Sequence, residues 1–283
     1  MSVSRVFKPL SGYRFNSIGM VSASIILFWC VVAVIGPYFA PYEPGEIVDF
    51  IYSPFGPVTA EFWMGSDDLG RDVFSRLIYG ARYTVGISAA AVLLASFCGV
   101  SLGMVAAVTG GWFDTVLSRF LDALNSIPSK LFALVIVAAT DSTIPILIVL
   151  LGVIYTPGSY RFARSLAVNS NAMDYVTVAK ARGERTFYLI TREIFPNILG
   201  PVLADLGMRF VFIVLLLSSM SFLGLGVQPP NADWGALVKE SMGGLNYGAP
   251  AVIFPCIAIA SLTISVNLLI DNLPVKIRDR SEQ

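Results

Sequence analysis

Residues 174–197 read DYVTVAKARGERTFYLITREIFPN, a charged stretch set between long apolar segments. Connections between neighbouring helices usually take about 2–8 residues, so this one is too long for a plain link. Tyr175, Val178, Ala179 and Arg182 follow i, i+3, i+4, i+7 spacing, and Phe187, Ile190 and Ile194 repeat at similar intervals. Each half therefore carries one apolar face, which predicts two short helices broken at Gly183. A glycine there can take φ > 0, ending a helix and turning the chain. Pro196 supplies a fixed φ suited to a helix start, so the next long apolar segment is expected to begin there.

Composition sets the environment around this stretch. The chain of 283 residues is 55% hydrophobic and 13% charged, with mean hydropathy +0.73. Soluble domains carry about 25% charged residues, so this is an all-α integral membrane protein in expectation. Zero net charge predicts no nucleic-acid partner. The absence of histidine speaks against imidazole catalysis, a zinc site or a histidine proton relay. Cys30, Cys98 and Cys256 lie in apolar runs without metal-type spacing and read as packing residues.

Six transmembrane helices are expected, over about 18–40, 83–110, 113–140, 142–160, 198–226 and 249–273. They make one permease domain over 15–273, with the polar loop 161–197 inside it and short termini at 1–14 and 274–283. The first apolar run exceeds the roughly 7–15 residues of a signal-peptide core and reads as a retained span. Small residues crowd the second, including Gly99 and Gly103, which predicts close packing against another span. The third must start near Phe113 and so contains Asp114, Arg119, Asp122 and Lys130. Asp122 is expected to pair with Arg119 at i, i+3; Lys130 has no opposite charge at i±3 or i±4. Lys130 reads either as snorkelling or pairing with another chain, or as a cation lining a solute path. Asp205 and Arg209, at i, i+4 in the fifth span, read first as a self-neutralising pair and second as path residues.

Orientation follows from counting Lys and Arg. Arg5, Lys8, Arg14, Arg161, Arg164, Lys180, Arg182, Arg185, Arg192, Lys276, Arg278 and Arg280 fall on one side, twelve against four (Arg71, Arg76, Arg82 and Lys239) on the other. The positive-inside rule then puts both termini and the 174–197 stretch in the cytoplasm. The outer loop 43–82 contains WMGSDDLGRDVFSRLIYGAR at 63–82, where Asp67 or Asp68 is expected to cap a following helix. The cluster Asp67, Asp68 and Asp72 admits a metal reading beside the simpler one of a cap plus local Arg/Asp pairs; no metal site is assigned.

Three segments together carry a family resemblance. MGSDDLGRDVFSRLIYGAR at 64–82 is similar to the segment before the second span in permeases of the dipeptide/oligopeptide/nickel importer group. SFLGLGVQPPNADWGALV at 221–238 resembles the end of their fifth span and the following loop. DYVTVAKARG together with FPN resembles their cytoplasmic "EAA" loop, with Thr177-Val178 replacing the first two residues of that motif. Glu193 stands where a histidine is common, and Lys130 where an apolar residue is usual. Taken alone, the loop also reads as an amphipathic linker on the bilayer surface. The order and spacing of all three segments fit the group over about residues 10–280, and within it the "C"-type dipeptide permease subunit.

The resemblance implies a type I ABC-importer permease fold in the bacterial cytoplasmic (inner) membrane, with a cytoplasmic coupling helix. This chain would hydrolyse nothing, and it contains no Gly-x-x-x-x-Gly-Lys-Ser/Thr loop. ATP and Mg would sit on one or two cytoplasmic ABC ATPase subunits. The implied coupling residues are Asp174, Tyr175, Val178, Ala179, Lys180, Arg182, Gly183, Phe187 and Pro196. A second homologous permease would complete the pore, of which Asp122, Lys130, Asp205 and Arg209 are candidate path residues. A periplasmic or extracellular solute-binding protein would contact Asp67, Asp68, Arg71, Asp72, Asp233 and Trp234. Two alternatives stand beside this: a secondary transporter driven by an ion gradient, and a membrane enzyme using the Asp67, Asp68 and Asp72 carboxylates.

Overall fold

A computed structural model describes residues 17–48 and 54–272. The expected basic termini (Arg5, Lys8, Arg14, Lys276, Arg278, Arg280) lie outside those residues. Helices dominate: α1 Ser17–Ile35, α2 Val73–Thr109, α3 Gly111–Asn125, α4 Ser129–Ala139, α5 Ile144–Asn171, α6 Asp174–Ala181, α7 Thr186–Tyr188, α8 Phe195–Phe222, α9 Trp234–Ser241 and α10 Ile253–Asp271. Five helical stretches are long and apolar enough to cross a membrane, and α3 with α4 makes a sixth if that pair, bent by 80°, is counted as one.

Several boundaries depart from the expected ones for clear reasons. The second span and the helix before it are a single helix of 37 residues, and its cap is Asp72, not Asp67 or Asp68. The Asp72 carboxylate accepts from the Ser75 amide at 2.8 Å, satisfying a first-turn donor. The third span is not one continuous helix. Pro128 disfavours α conformation at Ile127, so the chain breaks between Asn125 and Ser129. The fourth span runs past Tyr160 to Asn171, carrying Arg161 and Arg164 on its last turns. Beyond Gly183 there is no separate short helix: α7 passes through a π-helical turn, Leu189–Ile194, directly into α8. Pro196 has no N–H to offer the Arg192 carbonyl, and the wider turn lies where that bond is missing.

The helices meet in apolar clusters that position everything below. α2 and α5 form the tightest contact: a Cβ on Gly99 would come within 2.5 Å of Ser159 Cβ, and one on Gly103 within 2.8 Å of the Tyr160 carbonyl oxygen. Absent side chains thus let two backbones approach, as expected of small residues in lipid. Around Trp234, fully buried, pack Leu77, Ala81, Val214 and Leu262 from α2, α8 and α10. By contrast α1 leaves Val21, Leu27, Phe28, Val31 and Val34 exposed, a surface suited to lipid or another chain.

Candidate functional site

The 174–197 stretch is built as a lever. α6 ends in a Schellman motif: Gly183 at φ 80° donates to the Lys180 carbonyl at 2.9 Å, and Glu184 donates to Ala179 at 3.2 Å. The inward face of α6 is Val176 and Ala179, both fully buried. They pack with Leu189, Ile190, Ile194 and Ile198 of the α7–α8 segment, Val100 and Met104 of α2, and Ala163 and Ala167 of α5. Displacement of α6 therefore bears directly on three spans. A polar tie reinforces this: the Tyr175 hydroxyl lies 2.7 Å from Ser170 on α5 and accepts from Asn197 Nδ2 on α8 at 3.3 Å.

The outward face is Tyr175, Val178 and Arg182, and beyond the turn Phe187 stands 78% exposed. Lys180 and Arg185 are exposed beside them, as is Asp174 in the first turn. Ala179 corrects the expectation: one position after Val178, it turns inward and supports α6 from below instead of facing a partner. Val176, its buried neighbour at i−3, was missed because a single-sequence pattern gives two overlapping apolar faces on so short a helix.

Five of the six expected partner-facing residues near the other end prove unavailable. Asp67, Arg71, Asp72, Asp233 and Trp234 are all buried, leaving Asp68 alone partly exposed. They form a clasp instead. Asp67 accepts from the Arg71 amide at 2.9 Å and from Arg71 Nε at 2.7 Å, and Arg76 also reaches it. Arg71 donates to Glu240 of α9 at 2.7 Å, with Arg76 beside it. Asp67, Asp68 and Glu240 come within 4.8 Å of one another, but two guanidiniums neutralise this cluster. Asp233 caps α9 by accepting from the Ala236 amide at 3.3 Å, and the Trp234 indole donates to the Leu77 carbonyl at 3.0 Å. Burial raises the Asp68 carboxyl, with repulsion from Asp67 adding to it, and pushes Asp233 up to about 6. Arg76 and Glu240 were invisible as members because they lie far apart in sequence.

The four candidate path residues separate. Asp122 pairs with Arg161 of α5 at 2.7 Å, not with Arg119, because the α3 break turns it toward α5. Asp205 and Arg209 form the expected pair at 2.6 Å, held against α5 where a Cβ on Gly158 would meet Arg209 Nη1 at 2.3 Å. Only Lys130 lines the large open cleft of about 720 Å³ between α4, α8, α9 and α10.

This arrangement has no assembled nucleophile or acid–base constellation among the described residues, and it has a docked lever and a cleft. Its sequence relatives agree. The family described as binding-protein-dependent transport system inner membrane component matches residues 99–279. The dipeptide transport system permease protein DppC of Haemophilus influenzae is 30% identical over 268 residues, covering 92% of this chain and 90% of that one. The corresponding DppC of Alkalihalophilus pseudofirmus is 30% identical, over 91% of this chain and 84% of the relative. The glutathione transport system permease protein GsiD of Pectobacterium atrosepticum is 29% identical, over 90% and 85%. The ion-gradient and enzyme alternatives have no support in these relatives. The chain belongs to the binding-protein-dependent transport system inner membrane component family, as a multi-pass permease subunit of an ABC importer.

Proposed function

We propose that this chain imports peptides or peptide-like solutes as one half of a pore, driven by ATP hydrolysis on separate subunits. Relatives named for dipeptide and glutathione transport support the solute class. The observation that carries the coupling is the two-faced α6: Val176 and Ala179 buried in the span core, Val178 and Phe187 facing out. An apolar helical face of this kind fits a groove on another protein. The basic rim Lys180, Arg182 and Arg185 steers the encounter. ATP and Mg belong to one or two cytoplasmic ABC ATPases; a second homologous permease closes the pore, and an external solute-binding protein delivers cargo. Both termini and α6 face the cytoplasm, in line with the positive-inside count. Asp68 is the candidate contact for the binding protein that remains exposed.

The test is a pull-down from mild detergent of wild type against Val178→Glu combined with Phe187→Glu. Both side chains are exposed, so the fold is preserved while the docking face gains charge. Wild type is expected to carry an ATPase and a second permease, and the variant to keep the permease and lose the ATPase. A chain that purifies alone and moves solute in liposomes under an ion gradient would overturn this reading.

A further inference from the structure

The cleft beside α4 has an unusual electrostatic make-up. Its walls are Leu215, Phe222, Ile259 and Ile264 with small and hydroxyl residues between them, and no carboxylate lines it. Lys130 enters it from the first turn of α4, which it shares with the positive end of the helix macrodipole, an unfavourable placement for a cation. Lys239 and Gly224 follow the lining residues Val238 and Leu223 in sequence, and Lys239 Nζ lies over Gly224, where a Cβ would come within 2.6 Å of it. Neither lysine has a carboxylate within ion-pair distance among the described residues. The carboxylates of the spans are each paired, Asp114 with Arg164, Asp122 with Arg161 and Asp205 with Arg209, and Arg119, the other cation without an ion pair there among the described residues, lies exposed on α3 away from the cleft. The remainder of α4 beyond Lys130 rises up to about 14 Å at 1.5 Å per residue, roughly half of a 30 Å hydrocarbon core. An uncompensated cation within a span is costly and faces a functional path.

We propose that Lys130 is a specificity residue that receives the carboxylate of an apolar-bodied solute, such as the C-terminus of a short peptide, during passage through this cleft. The inference rests on the importer reading and names the solute chemistry of its pore. The apolar walls take the side chains, and the ammonium replaces the water that the carboxylate sheds.

The full importer in liposomes, with binding protein and ATP, provides the test, using labelled trialanine as probe. Lys130→Met is expected to slow uptake on the order of tenfold, the loss of about one charge-assisted hydrogen bond, while stimulated ATP hydrolysis continues. Lys130→Arg is expected to restore most of the uptake. Uptake by Lys130→Met at the wild-type rate would overturn the proposal, as would Lys130→Arg no better than Lys130→Met. Loss of the second permease or the ATPase from the Lys130→Met complex would also overturn it, by making Lys130 an assembly residue. Cys256 lines the same cleft and is exposed, so it supplies a second readout that needs no transport. With Cys30 and Cys98 replaced by Ala, an anionic thiol reagent should label Cys256 faster than a cationic one, and Lys130→Glu should reverse that order. An unchanged order would count against the cationic cleft. No ATP-driven uptake of trialanine by wild type would sink the peptide-importer reading itself, and this inference with it.

Discussion

Single positions decide how closely the spans approach and how the outer loop responds to pH. At Gly99 a side chain meets Ser159 Cβ, the Thr156 carbonyl and the Tyr160 amide at once, two of them backbone atoms that cannot move alone. Gly99→Val is expected to cost about 2 kcal/mol through overpacking, read as a lower midpoint of thermal unfolding in detergent. Asp233 behaves differently. Its carboxyl is pushed up to about 6 by complete burial, above the ordinary 3.8, and the Ala236 amide opposes only part of that. The folded state therefore holds this proton more tightly than the unfolded state does. The stability it contributes is full below the unfolded value and is lost as pH rises through about 6. Acidifying from pH 7.5 to 5 is expected to raise the melting temperature more in wild type than in Asp233→Asn, which stays neutral and still caps α9. Equal pH dependence in the two proteins would exclude Asp233 as the titrating group.

Elements show which interactions hold the ends of the spans in register. The clasp joins the start of α2 to the end of α9 through Asp67, Arg71, Arg76 and Glu240. Arg76 is 2% exposed, so removing its charge leaves carboxylates facing one another in a dry site. Arg76→Met is expected to destabilise by about 3 kcal/mol, because an orphaned buried charge costs more than an intact pair contributes. Double replacement with Glu240→Gln should recover part of that loss, measured as a thermodynamic cycle; strict additivity would argue against the contact. The sequence showed acids and arginines in a row here and suggested a local cap with local pairs. It could not show that Glu240, from a distant loop, closes the network, nor that closure hides five of six residues expected to meet a binding protein. In the same way Asp122 found Arg161 on another helix, because the break at Pro128 re-aimed α3 in a way that i, i+3 counting ignores.

At the scale of the whole molecule, the chain joins the exposed-faced helix α6 to a membrane cleft through one continuous core. Val176 and Ala179 sit among residues of α2, α5 and α8, and α8 continues from the lever's second arm to the cleft wall at Leu215 and Phe222. A push on α6 thus has a direct mechanical route to the cleft. Orientation can be tested at both ends of this route. A cysteine replacing exposed Glu61 should be labelled by a membrane-impermeant thiol reagent in intact cells, whereas one replacing exposed Arg185 should be labelled only after permeabilisation. The opposite pattern would invert the topology and remove the cytoplasmic docking of α6.

Residue order alone was enough to read a membrane protein with about six spans, a short helix over the start of 174–197 and the glycine that ends it. These are properties of composition, run length and local backbone preference, which act within a few residues. Packing set which face of α6 is exposed, that Asp67, Arg71, Asp72, Asp233 and Trp234 are internal, and that Lys130 is the one charged residue lining the cleft among the described residues. Those outcomes depend on which distant side chains meet in low dielectric, where a charge must find a partner or face water. That partner is chosen by packing, not by spacing along the chain.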